Sequence, residues 1–79
     1  MNVSKKIETI EEIKTGTIKS ILKNGYGFIT DDDDEGNDVF FHVTGCVEPK
    51  FNDLREGMKV NYLLSTRNDK PIAIGIVGI

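Results

Sequence analysis

The chain has 79 residues, a mass of 8.8 kDa and a formal net charge of −3, which limit it to one small domain. A domain of this size buries only about 60% of the surface of its unfolded chain, so we expect a function on an exposed face and no deep enzymatic cleft. With 38% hydrophobic and 29% charged residues, the composition is that of an ordinary soluble globular domain.

Several classes of protein are disfavoured by the residues that the chain contains. No apolar run approaches the roughly 20 residues of a membrane span, and the first residues, MNVSKKIETIEEIK, lack the apolar segment of a secretory signal. Cys46 is the one cysteine, which excludes an intrachain disulfide and favours a cytoplasmic protein. One histidine and one cysteine cannot form the usual zinc sites. We therefore expect no metal, no cofactor and no enzymatic activity, with Cys46 a buried or loop residue.

The negative charge is concentrated in one short segment. Residues 31–38 contain six acidic side chains, so the other 71 residues carry a net charge of +3. Since surface fields are screened over about 8–10 Å in physiological salt, a nucleic-acid partner is not excluded. The segment lacks the alternating ligand spacing of a calcium-binding loop. It therefore predicts a solvated connection, and weak cation binding is the less favoured alternative.

Residues 1–14 are interpreted as an N-terminal extension. Their apolar residues recur at intervals of four, three and three, which is the spacing of one face of a helix: Val3, Ile7, Ile10 and Ile13. A helix this short is marginal in water unless its apolar face is covered. The extension is therefore expected to be either a docked helix or a disordered arm.

From Thr15 onward the pattern is that of short β-strands separated by turns. Five strands are predicted, over residues 15–22, 26–30, 38–43, 58–64 and 72–77, with a long irregular connection over residues 44–57. Five short antiparallel strands favour a closed all-β barrel over residues 15–79, because closure removes exposed strand edges.

The third predicted strand shows which of its side chains face the core. Successive side chains of a strand point to opposite faces, so Val39, Phe41 and Val43 share one face while Phe40 and His42 share the other. The first set has no polar member and is expected in the core. Phe40 and His42 are then forced onto the outer surface.

The second predicted strand adds two more rings to that outer surface. Tyr26 and Phe28 face outwards if Ile29 packs inwards. Exposed rings on adjacent strands suit the stacking of unpaired bases, at about 1–3 kcal/mol per base, and Lys19 and Lys23 would contact the phosphates. The alternative is a minor second core beneath the N-terminal arm.

Several segments resemble those of bacterial cold-shock proteins, over residues 15–79 almost continuously. The segments are T-G-T-I-K, N-G-Y-G-F-I, D-V-F-F-H-V, K-F-N-D-L-R-E-G-M-K-V and K-P-I-A. The resemblance implies an OB-type five-stranded barrel that binds single-stranded RNA or DNA, as an RNA chaperone or a regulator of transcription or translation. It implies a binding surface made of Lys19, Tyr26, Phe28, Phe40, His42 and Phe51. Phe51 would close over a base, or else anchor its loop on the end of the barrel.

Three positions depart from the family pattern. Ser20, Ile21 and Val43 stand where the family has aromatic residues. Fewer rings predict weaker binding or a shorter footprint. The alternative function is therefore a protein-interaction or self-associating OB module, with the N-terminal extension as the contact of a homodimer.

Overall fold

The computed structural model describes residues 13–79, whose strands follow the turn and alternation patterns of the sequence. The strands are β1 (Ile13–Leu22), β2 (Tyr26–Asp31), β3 (Asp38–His42), β4 (Cys46–Glu48), β5 (Lys59–Arg67) and β6 (Lys70–Gly78). Within this part of the chain, short 3-10 helices span Val43–Gly45 and Phe51–Asp53.

The strands close into a barrel. Their order is β3-β2-β1-β5-β6-β4, and an additional pairing joins β3 to β6. Four ladders are antiparallel, whereas the closing ladder is parallel, with Phe40 opposite Ile72 and Phe41 opposite Ala73. A ring of five strands that alternate in direction must contain one parallel pair, because five is odd. The predicted five-stranded all-β barrel is confirmed, and its closing ladder is parallel where antiparallel pairing was expected throughout.

The core is built from the inward-facing residues of these strands. Ile29, Val39 and Phe41 are at most 2% exposed, as their alternation with polar or outward-facing neighbours predicts. The expectation that Val43 completes this set is wrong, since its side chain is 38% exposed. β3 ends at His42 and Val43 begins a 3-10 helix, so the two-residue alternation no longer applies to it.

The connection between β3 and β5 contains a strand that the sequence did not predict. β4 pairs in parallel with β6, with Cys46 opposite Ile76. Three residues are too few to show a strand period. Cys46 is a free thiol in the core, as expected, and burial raises its pKa.

The tight turns have the backbone that their residues favour. Gly25 has a φ of 88° in the turn between β1 and β2, a conformation that glycine adopts without steric cost. Asn68 and Asp69 connect β5 to β6 with φ values of 54° and 67°. Positive φ at both central residues is typical of a type I′ hairpin, and Asn and Asp tolerate it.

The expected helix or arm of the N-terminal extension lies outside the described residues, apart from its last two positions. Ile13 and Lys14 belong to β1, where they pair with Leu63 and Tyr62 of β5. Among residues 13–79, no helix has the length and apolar character needed to span a membrane.

Candidate nucleic-acid interface

β1, β2 and β3 share an outer face on which their registers align the outward side chains. Two neighbouring rows result, Ser20–Phe28–Phe40 and Leu22–Tyr26–His42. Residues directly opposite each other in a sheet have side chains on the same face. The outer face therefore brings together Tyr26, Phe28, Phe40 and His42, the four residues that strand alternation predicts to face outwards.

Three rings on this face form one contact group, the aromatic cluster of Tyr26, Phe28 and Phe40. The ring centroids lie 5.5 Å apart for Tyr26 and Phe40, 6.0 Å for Phe28 and Phe40, and 6.4 Å for Tyr26 and Phe28. These are distances at which aromatic pairs attract each other. All three side chains are half-buried, so the rings support one another while part of each stays accessible to a ligand.

Gly27 separates two of these rings along β2 and faces the interior. A Cβ atom there would lie 2.3 Å from the carbonyl oxygen of Ser20 and 2.8 Å from the ring of Phe41. Only glycine lets β1, β2 and the buried Phe41 approach so closely. Gly27 thus fixes the backbone beneath the aromatic cluster.

His42 lies beside the aromatic cluster, opposite Tyr26. Its Nδ1 accepts a hydrogen bond from the backbone N–H of Thr44 at 3.3 Å, and the Thr44 hydroxyl oxygen lies 3.0 Å from the same nitrogen. Because Nδ1 is an acceptor, the neutral ring carries its proton on Nε2. His42 therefore has a fixed orientation and one N–H to offer to a base.

Lys19 lies at a β-bulge and is already paired. The register of β1 against β2 shifts between Ile18 and Ser20, so Lys19 has no opposite residue on β2. Its Nζ lies 2.6 Å from Oδ2 of Asp38, and the hydroxyl of Thr30 donates to Oδ1 of Asp38 at 3.1 Å. The hydrogen bond from Lys19 lowers the pKa of Asp38 more than burial raises it. The lysine predicted to contact phosphate is thus bound to a carboxylate.

Lys23 and Phe51, the other two predicted site residues, lie outside the two aligned rows of β1, β2 and β3. Lys23 is exposed in the turn that follows β1. The ring of Phe51 lies 6.3 Å from that of Phe41 and packs against the core. This placement is that of a loop anchor on the barrel, the alternative that the sequence left open for Phe51.

The three positions that depart from the family pattern do not form one patch. Ser20 lies beside Phe28 on the outer face, whereas Ile21 lies opposite Gly27 and packs against the core. Val43 is exposed in the 3-10 helix. The outer face therefore has a small polar residue where a ring was expected, and Ser20, Ile21 and Val43 do not provide one continuous surface for a protein partner.

A pocket beside Phe40 contains residues that sequence reasoning missed. It is lined by Phe40, Arg67, Asn68, Lys70, Pro71 and Ile72. Among residues 13–79, neither Arg67 nor Lys70 forms an ion pair with an acidic side chain. These residues lie in or next to the turn predicted between the strands over residues 58–64 and 72–77, and they adjoin Phe40 through the parallel pairing of β3 with β6. Strand alternation carries no signal for that pairing.

Residues 31–38, the acidic connection, are tied to the barrel at Asp31. The side chain is almost fully buried, so the prediction of a solvated connection is wrong for this residue. Asp31 accepts hydrogen bonds from the Tyr62 hydroxyl at 2.6 Å and from the backbone N–H of Asp33 at 2.8 Å, and Lys14 Nζ lies 3.2 Å away. Burial raises the pKa of Asp31, but these three partners together outweigh it and lower the pKa. Burial and Asp31 raise the pKa of Tyr62.

A second carboxylate of the acidic connection binds another lysine. Both carboxylate oxygens of Asp32 lie 3.0 Å from Lys59 Nζ, and the Thr17 hydroxyl donates to Asp32 Oδ1 at 3.2 Å. No group of three His, Cys, Asp or Glu side chains in residues 13–79 is arranged to hold a metal ion. The acidic connection is therefore bound to strands β1 and β5 by lysines.

Comparison with known proteins finds one family model and several relatives. The model described as the "cold-shock" DNA-binding domain matches residues 14–79. Cold shock protein 1 of Lactiplantibacillus plantarum is 39% identical over 66 residues, which are 82% of this chain and 97% of that protein. Cold shock protein CspV of Vibrio cholerae is 33% identical over 82% of this chain and 93% of that protein. Cold shock-like protein CspG of Escherichia coli K12 is 36% identical over 80% of this chain and 90% of that protein.

Proposed function

The chain belongs to the family of cold-shock DNA-binding domains, and we propose that it binds single-stranded RNA or DNA by stacking bases on its aromatic cluster. The observation that carries the proposal is the contact group of Tyr26, Phe28 and Phe40 on the outside of the barrel. A purely structural role would favour covering these rings, yet each keeps part of its surface accessible. Stacking on rings tolerates any base sequence, because every base has a π-face.

The charges around the aromatic cluster support the proposed binding of single strands and indicate a path for the sugar–phosphate backbone. Arg67 and Lys70 border Phe40 on one side, and Lys23 is exposed in the turn next to Tyr26. Their cationic groups suit phosphates spaced along a single strand. His42 adds a donor for a base edge through Nε2–H.

The binding is expected to be weak for a surface of this kind. Ser20 and Val43 remove two rings that the family resemblance led us to expect, and each stacked base is worth about 1–3 kcal/mol. The loss corresponds to at least about thirtyfold in affinity. We therefore expect micromolar binding of short pyrimidine-rich oligonucleotides.

The contacts of His42 and Cys46 support a proposal of binding without catalysis. The Nδ1 of His42 is engaged with Thr44, and the thiol of Cys46 lies 3.9 Å from the His42 carbonyl oxygen in the core. The proposed role is that of an RNA chaperone or a regulator of transcription or translation in the cytoplasm. Self-association through the N-terminal extension stays a prediction about residues outside the described part of the chain.

Alanine substitution of two rings tests the proposal. The Phe28→Ala, Phe40→Ala double variant is titrated with heptathymidine and heptauridine, and its fold is checked by circular dichroism. Val77→Ala, which removes apolar surface from an exposed position of β6, is the matched control. We expect the double variant to lose detectable binding and the control to bind as the wild type does. A folded double variant with unchanged affinity would refute base stacking on this face.

A further inference from the structure

The acidic connection meets the proposed interface along a third row of side chains. Next to the Ser20–Phe28–Phe40 row, Lys59, Thr17, Thr30 and Asp38 lie opposite one another across β5, β1, β2 and β3. We call this row, together with Lys19 and Asp32, the polar border. It runs alongside the Phe28–Phe40 pair, because Thr30 and Asp38 lie two residues from these rings on β2 and β3, and a bound strand would otherwise continue across it.

Both lysines of the polar border form ion pairs with carboxylates of the acidic connection. Asp38 holds Lys19 at 2.6 Å and Asp32 holds Lys59 at 3.0 Å. Threonine hydroxyls hold the same carboxylates in place, from Thr30 to Asp38 and from Thr17 to Asp32. A carboxylate and a phosphate oxygen bind an ammonium group in the same way. The two acids thus occupy the position that phosphates would take at these lysines.

The hairpin between β5 and β6, on the far side of β3, differs in charge from the polar border. Arg67 and Lys70 beside Phe40 form no ion pair with any acidic residue of the described chain. Asp33, Asp34 and Glu35 of the acidic connection are exposed, and no ion pair to a described residue involves them. Phosphates are therefore attracted to Arg67 and Lys70 beside Phe40, and less to Lys19 and Lys59, whose charges are already paired.

From this geometry we propose that Asp38 is an intramolecular competitor of nucleic-acid phosphate for Lys19. The acidic connection thereby ends the interface at the Phe28–Phe40 pair and weakens its binding of single strands. The proposal rests on the proposed function, since it concerns the same surface. It adds a residue that sets the length of the footprint and the salt dependence of binding.

Removal of the competing charge tests the proposal. In Asp38→Asn the amide oxygen still accepts from Thr30, while the charge that holds Lys19 is lost. Affinity for heptathymidine is expected to rise about fivefold, the size of one unit-charge interaction at about 4 Å in water. The slope of log affinity against log salt is expected to steepen by about 0.7, the value for one added phosphate contact on a single strand. Asp38→Ser serves the same test if the asparagine variant does not fold.

Two further variants distinguish local competition for Lys19 from a general electrostatic effect of the acidic connection. Asp34→Asn removes the same charge from an exposed position of the acidic connection, and we expect less than a twofold change because of screening. Lys19→Gln added to Asp38→Asn is expected to abolish the gain. An unchanged affinity in Asp38→Asn, an equal gain in Asp34→Asn, or a gain that persists without Lys19 would each overturn the inference. These results are separable from failure of base stacking, which the Phe28, Phe40 variant reports independently.

Discussion

The buried hydroxyl of Tyr62 allows a quantitative prediction about stability. Tyr62→Phe keeps the ring that fills the core, but removes the hydrogen bond of 2.6 Å to the buried carboxylate of Asp31. A hydrogen bond to a charged group contributes about 1.5–3 kcal/mol to folding. For a domain of this size, that loss lowers Tm by roughly 6–24 °C at pH 7. Tyr26→Phe, the same change on the outer face, is the control and is expected to shift Tm by less than about 3 °C.

The effect of Tyr62→Phe is expected to depend on pH. Folding lowers the pKa of Asp31 below its ordinary value of 3.8, partly through the hydrogen bond from Tyr62. A lowered pKa adds stability above the ordinary value, and this stability is lost as the pH falls through the lower, folded value. Urea unfolding at several pH values should therefore show the gap between wild type and variant narrowing below about pH 4. A gap of less than about 0.5 kcal/mol at pH 7, or one that stays constant in acid, would contradict this reasoning.

Three further predictions concern the packing and the interface. Gly27→Ala is expected to cost about 1–3 kcal/mol in urea unfolding through overpacking, whereas Gly36→Ala, with open space around its Cβ position, should cost far less. Ser20→Trp is expected to raise affinity for heptathymidine about five- to hundredfold in a fluorescence titration, and an unchanged affinity would mean that the ring does not stack there. Arg67→Gln with Lys70→Gln should flatten the log–log salt slope by about 1.4; an unaltered slope would place the phosphates elsewhere.

The sequence alone predicts much of the barrel and of the outer face. Alternation within β2 and β3 predicts that Tyr26, Phe28, Phe40 and His42 face outwards. The register agrees, since it pairs Tyr26 with His42 and Phe28 with Phe40. The turn residues predicted the hairpins equally well. These features depend on neighbours in the chain or on a two-residue period, which one sequence displays directly.

Other features depend on contacts between distant segments and could not be predicted. The β-bulge at Lys19 turns Ser20 outwards and Ile21 inwards, whereas regular alternation from the buried Ile18 gives the opposite. The parallel closure that brings Arg67 to Phe40 has no local signal. Asp31 is buried because Tyr62, 31 positions later, provides its hydrogen bond.

The central claim is that single strands bind on the aromatic cluster, and chemical-shift mapping tests it most directly. Heptathymidine is titrated into the uniformly labelled full chain while amide and aromatic side-chain signals are followed by NMR. We expect the largest shifts at Tyr26, Phe28, Phe40 and His42, extending to Arg67, and none at the opposite positions Asn61 and Val77 of β5 and β6. Shifts centred on Asn61 and Val77, or no shifts at millimolar oligonucleotide, would contradict the assignment of this face to nucleic-acid binding.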